Sequence, residues 1–258
     1  LVFAGCGTDG ASKNASTTTS ALPAQRDPNQ KYKAATTVLE SASHGPQLCL
    51  GGVLTSLPPQ CGGPDIKGWD WDAVADKESR IGTTWAEVTV VGNFDGSTFT
   101  LTEPPHPIGK RPAEEPPDFS PACKEPEGDP TADRDTFREP EHPDLVAVWV
   151  SASQKTFNVL VRPGAADAVR NEIRTYFSGL LCIVERDLPT QASLRALQER
   201  IPDESKASPL GGVFAVGADG RRGVVVIQCA LADDVSKAWA EENWGENIDL
   251  VGALTPID

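Results

Sequence analysis

The residues best equipped for recognition chemistry are Trp69, Asp70 and Trp71, followed by Asp72, in the run Gly68-Trp69-Asp70-Trp71. Paired indoles alternating with carboxylates supply flat apolar faces beside hydrogen-bond acceptors, the equipment of carbohydrate and peptide sites, so these three are the candidate ligand-binding residues. The competing reading is that the indoles fill the core or rim of a small β domain. No G-x-S-x-G elbow, H-E-x-x-H, S-x-x-K or Walker loop occurs, so no residue is assigned a catalytic role. His44, His106 and His142 each lie next to, or two residues from, a proline, which places them in turns and linkers rather than among metal ligands or general bases. Gly217, Gly220 and Gly223 imitate a phosphate cradle, but a strand follows them where a cradle requires a helix N-terminus, and they read as a hairpin turn. Asp129, Asp133 and Asp135 are hard donors for calcium but lack the glycine and distal glutamate of an EF-hand, so they read as a solvated acidic segment. No metal or cofactor is expected.

The chain opens Leu1-Val2-Phe3-Ala4-Gly5-Cys6 and then turns polar. Apolar residues, a small-small pair and a cysteine resemble the lipobox of bacterial lipoproteins, with Phe3 departing from the leucine usual in that position. That resemblance implies the residual end of a signal peptide and the lipobox over residues 1–6, diacylglycerol on the Cys6 thiol, and a protein held on the extracytoplasmic face of the cell membrane. Two or three acyl chains anchor stably where one is marginal. No window approaches the roughly 20 apolar residues of a membrane-spanning helix. A formal charge of -14 disfavours nucleic acid, whose affinity comes largely from Lys and Arg, and anionic headgroups alike. The partners implied are the membrane through the lipid, and an envelope protein or a carbohydrate.

With Cys6 acylated, five cysteines remain, so at most two disulfides form and one thiol is left over. The absence of C-x-x-C removes the simplest zinc and thioredoxin-like readings. The segment from Cys49-Leu50-Gly51-Gly52-Val53 through Pro58-Pro59-Gln60-Cys61-Gly62-Gly63-Pro64 to Gly68-Trp69-Asp70-Trp71 resembles uncharacterised secreted and lipoprotein-type proteins of actinobacteria, a family that implies no known activity. Within it, a Cys49–Cys61 disulfide is worth about 2 to 3 kcal/mol by loop entropy.

The elements that must position these residues fall into an α+β chain. Residues 7–35 carry few large apolar side chains and read as a flexible tether. Residues 36–105 hold strand-like runs such as Val88-Thr89-Val90-Val91 and Phe99-Thr100-Leu101, with a positive-φ turn at Asp95-Gly96 between them; the module is expected to be a small OB-like barrel. Residues 106–144 are dominated by proline and acid and read as a linker or surface excursion. Residues 145–258 alternate strands and helices, and a shift of 66 positions superposes Val159 on Val225, Val169 on Val235 and Gly179 on Gly245. Two such strand-helix-strand halves predict a ferredoxin-like βαββαβ sheet with an extra helix between them. In that sheet the strands 180–184 and 224–228 are neighbours, which predicts a Cys182–Cys229 disulfide and leaves Cys123 as the free thiol. If Cys6 is not acylated, Cys6 and Cys123 are left to pair. The functional expectation is a membrane-tethered binding or structural protein of the envelope; the alternative is an envelope hydrolase built on paired carboxylates, for which 37 Asp and Glu provide ample material.

Overall fold

A computed structural model describes residues 26–109, 118–153 and 155–257, so Cys6 and residues 7–25 of the tether lie outside the described residues. The first sheet is built from β1 (Lys31–Ser41), β2 (His44–Leu48), β3 (Asp65–Lys67), β4 (Glu78–Arg80), β5 (Thr83–Phe94), β6 (Thr98–Leu101) and β7 (His106–Pro107). Alternation makes β1 a strand: Tyr32, Ala34, Thr36 and Val38 face inward while the residues between them face out. β1 therefore begins inside the stretch that composition marks as tether, because a few small residues suffice to line one face of a long strand.

β1 runs antiparallel to β5 from Lys31↔Asn93 to Ser41↔Thr83. Its other edge pairs with β2 and, at Lys31 to Lys33, with β14 (Thr255–Ile257) from the end of the chain. β2 pairs with β3, β3 runs parallel to β6, and β6 forms a hairpin with β5 across Asp95-Gly96. Gly96 there has φ +100°, the left-handed region that glycine reaches without a Cβ penalty. Val38, Leu48, Val90 and Phe99, all fully buried, form the centre of this core.

The rest of the chain contains two ββαβ units of the same connectivity. The first is β8 (Leu145–Val150), β9 (Phe157–Val161), α1 (Ala166–Arg174) and β10 (Leu181–Glu185), with strand order β10-β9-β8. The second is β11 (Val213–Asp219), β12 (Val224–Cys229), α3 (Asp234–Trp244) and β13 (Ile248–Gly252), with order β11-β12-β13. In each, an antiparallel hairpin is followed by a helical crossover to a parallel third strand. Val159 and Val225 are matching, fully buried residues of the two central strands, and Val169 and Val235 lie in the two helices. The 66-residue self-similarity thus marks a repeated ββαβ unit. α2 (Gln191–Glu204), capped by Thr190 Oγ1 accepting from Ser193 N at 3.2 Å, joins the units.

The ferredoxin-like sheet is corrected by these pairings. β10 pairs with β9 rather than β12, and β12 lies between β11 and β13. Each hairpin and crossover closes its own three-stranded sheet, and the outer edge of β10 is taken by the chain at Glu127, which exchanges backbone hydrogen bonds with Leu181 at 3.0 and 2.8 Å.

The cysteine pairing changes with the topology. Cys123 pairs with Cys182 (Cα–Cα 5.8 Å), Cys49 with Cys61 (5.5 Å), and Cys229 is the buried free thiol. The expected Cys182–Cys229 bond and free Cys123 are therefore both replaced. Within the segment rich in proline and acid, Ala122 N donates to the buried Asn158 Oδ1 at 2.7 Å, and Glu127 and Asp129 pair with Leu181 and Gly179. Two disulfides fit an oxidising, extracytoplasmic environment. No helix among the described residues is long and apolar enough to cross a membrane.

Candidate functional site

Two of the side chains that sequence singles out for recognition, Trp69 and Trp71, pack against the first core. Trp69 and Trp71 meet edge to face with ring centroids 5.1 Å apart, half-buried against it. Trp71 Nε1 donates to a Glu40 carboxylate oxygen, and Asp70 Oδ1 accepts from Asp72 N at 2.9 Å to cap the turn that carries Trp71. The Trp69 indole N–H is buried with no acceptor among the described residues. His44 is half-buried with Nδ1 2.7 Å from Gly45 O, and His142 Nδ1 accepts from Asp144 N at 3.2 Å within its turn. Asp129 and Asp133 cap local turns, and no group of three metal-ligating side chains occurs among the described residues. Gly217, Gly220 and Gly223 belong to β11 and the β11–β12 turn, which closes with Gly223 N donating to Asp219 O at 2.8 Å.

Two cavities matter. The larger, about 580 Å³, opens between β1, β14 and the start of α3. Its lining carries Arg26, Asp27, Asp233, Asp234 and Lys237; of these, Arg26 Nε and Nη2 donate to both oxygens of Asp233 at 2.6 and 2.9 Å, and Nη2 also reaches Pro209 O and Ser236 Oγ. Asp233 in turn accepts from Ser236 N at 2.9 Å as the N-cap of α3. Burial pushes the Asp233 carboxyl upward, but the bonds from Arg26 and Ser236 outweigh it and hold the group below the usual carboxylate range. Burial pushes the neighbouring Tyr32 phenol up. This arrangement clamps the segment ahead of β1 onto α3.

The smaller cavity, about 430 Å³, lies where the two ββαβ units meet. Val146 to Trp149 of β8 form one wall, Gln191, Arg195 and Gln198 of α2 a second, and Asp219 to Arg221 of the β11–β12 turn the third. The repeat makes this junction, because β8 and β11 are edge strands of their separate sheets. Gly220 allows the turn to close on β8, since a Cβ there would stand 2.5 Å from Val146 O.

Electrostatically this cleft runs against the acidic chain. The Arg221 guanidinium sits 5.4 Å from the Phe119 ring centroid and 5.6 Å from that of Trp149, and it donates to Asp118 O. Cation–π contact on two rings fixes its direction. Trp149 is fixed in turn by Nε1 donating to Ser120 O at 3.2 Å. Arg195 is exposed and has no ion-pair partner among the described residues. The one carboxylate in the lining, Asp219, accepts from Arg221 N and Arg222 N at 3.1 and 3.3 Å and so caps the turn. Two guanidiniums around one wet cleft are suited to a carboxylate or another small anion.

Sequence reasoning passed over Arg195, Arg221 and Trp149. The available signal was Arg221-Arg222 in a hairpin turn of a chain with charge -14; Trp149 looked like one more strand residue. Searches of protein-family models, of curated proteins and of solved structures found no match to this chain.

Proposed function

We propose that the protein is an extracytoplasmic, membrane-tethered binding protein that takes a small carboxylate-bearing solute in the cleft between its two ββαβ units. The cleft carries the proposal: Arg221 is oriented by two aromatic rings, Arg195 faces the same space unpaired, and the lining carboxylate is occupied in its own turn. Ligand sites form preferentially at such junctions between structural units. The tether is the lipid on Cys6, supported by the lipobox-like opening and by two disulfides that belong to an oxidising compartment. An OB-like reading of the first module rests on the strand path β1-β2-β3-β6-β5, which returns to β1 and contains the one parallel pair β3–β6. A solute with acidic sugar or acidic peptide character keeps the envelope carbohydrate and protein partners within the proposal; nucleic acid does not suit the charge.

The hydrolase alternative needs two carboxyl groups about 5 to 10 Å apart in a cleft, one of them held protonated. One carboxylate lines the 430 Å³ cleft; Asp27, Asp233 and Asp234 line the larger cavity, and there Arg26 holds Asp233 ionised, the opposite of a general acid. Two experiments test the proposal. Cys6→Ser moves the protein from the membrane fraction to the soluble one; retention in the membrane defeats the anchor. Succinate or glucuronate raises the melting temperature of the parent chain but not of Arg195→Ala, an exposed change that leaves the unliganded melt in place; equal shifts in both defeat the cleft.

A further inference from the structure

Between Glu40 and Asp65 the chain has no Lys, Arg, Asp or Glu, although 23% of all residues are charged. The centre of that stretch is the loop from Gly51 to Gln60 between β2 and β3, which exposes Val53, Leu54 and Leu57 at 37%, 65% and 61%. Six large hydrophobic side chains are exposed among the described residues, and three of them are in this loop. Soluble surfaces seldom gather apolar side chains on an uncharged projection without a partner for them.

The loop is built to stay folded when it leaves water. Its ends are joined by Cys49–Cys61, and its base is fixed to β1, where Cys49 N donates to Thr37 O at 2.9 Å and Thr36 Oγ1 to Cys49 O at 3.0 Å. Inside it, Leu54 N donates to Gln60 O at 2.9 Å, Gly52 N to Cys49 O at 3.2 Å, and Ser56 Oγ to Pro58 O at 3.0 Å. Pro58 and Pro59 bring no backbone N–H at all. The bonds at Gly52, Leu54 and Ser56 and the missing donors of Pro58 and Pro59 lower the cost of approaching an apolar phase, where each unsatisfied polar group is costly.

We infer that this loop is a membrane-contact element that inserts Val53, Leu54 and Leu57 into the interface of an uncharged or zwitterionic lipid surface. Three exposed side chains offer far less area than the roughly 800 Å² per partner of a stable protein interface. A few apolar side chains do suffice for reversible interfacial binding, whose strength follows buried apolar area. The stretch between Glu40 and Asp65 carries no Lys or Arg, and in a chain of charge -14 this selects against an anionic surface. The inference is independent of the cleft and of the lipid anchor, and its test removes the anchor.

The full chain carrying Cys6→Ser, produced without lipid, is sedimented with phosphatidylcholine vesicles, beside the same chain with Leu54→Ser and Leu57→Ser added. Both substitutions are at exposed positions, and an unchanged melting temperature with Cys49–Cys61 intact on peptide mapping certifies the fold. The expected result is co-sedimentation of the Cys6→Ser chain that persists at high salt and falls at least tenfold in the triple variant. No co-sedimentation, equal binding by both chains, or binding only to envelope membranes that retain their proteins overturns the inference, the last in favour of a protein partner.

Discussion

Removing the Cys123–Cys182 bridge is the perturbation whose size the structure dictates best. The bond joins residues 59 apart in sequence, for which loop-closure entropy gives about 4 kcal/mol at 25 °C, against about 3 kcal/mol for Cys49–Cys61 with a separation of 12. Cys182 is fully buried, so Cys182→Ala adds about 1 kcal/mol for the space its sulfur leaves. A loss near 5 kcal/mol is large beside the roughly 5 to 15 kcal/mol of a typical domain. The effect is also local, because residues 118–120 hold Arg221 and Trp149 in the cleft through Asp118 O and Ser120 O. The assay is guanidinium unfolding of Cys123→Ala/Cys182→Ala against the parent under non-reducing conditions, with limited proteolysis of residues 118–130 alongside. The variant is expected to be less stable by about 4 to 5 kcal/mol and to be cut first in that segment. A loss below about 1 kcal/mol, or a non-reduced peptide map joining Cys182 to Cys229, refutes the reasoning.

Three further outcomes follow from individual side chains. Burial, aided by the negative charge of Asp233, pushes the Cys229 thiol up to about 12, so at pH 8 its thiolate is scarce; in the Cys6→Ser chain, iodoacetamide leaves the native protein unmodified and adds one adduct after unfolding without reductant, by intact mass. Asp233 has a folded-state pKa below its unfolded value, so its contribution is complete above the ordinary Asp range and disappears as pH falls through the folded value; Asp233→Asn should cost roughly 2 kcal/mol at pH 7 and progressively less below about pH 4, by chemical denaturation across pH. Gly220→Ala forces a Cβ against Val146 O and should cost about 1 to 3 kcal/mol, whereas Gly217→Ala, with open space around it, should stay within about 0.5 kcal/mol of the parent by thermal melts.

What could be read in the sequence follows from which interactions are local. The Asp95-Gly96 hairpin, the cap of α2 at Thr190 and the end of α3 at Gly245 depend on a few adjacent residues, and each stands in the structure where composition places it. The repeat was legible as recurring apolar positions, Val159 with Val225 and Val169 with Val235, and the first pair is fully buried in both units. Strand order was not, since choosing between one four-stranded sheet and two three-stranded ones depends on what covers the edge of β10. The answer came from Glu127 and Cys123, in a segment whose prolines and acids argued for solvent. Trp69 and Trp71 were conspicuous because aromatics always are, and they lie half-buried against the first core; Arg195 and Arg221 were inconspicuous because only the packing of α2 and the β11–β12 turn against β8 brings them to one cleft.

The central claim is that this cleft binds a carboxylate-bearing solute, and a side-chain NMR titration examines it most directly. In the isotope-labelled Cys6→Ser chain, the Nε–H signals of Arg195 and Arg221 and the Nε1–H signal of Trp149 are followed while succinate or glucuronate is added, with succinamide and glucose as neutral controls. Saturable shifts at these three groups with the acids, absent with the controls and lost in Arg195→Ala, are predicted. Shifts confined to Arg26 and Tyr32 of the larger cavity, or none that saturate at the three cleft groups, contradict it.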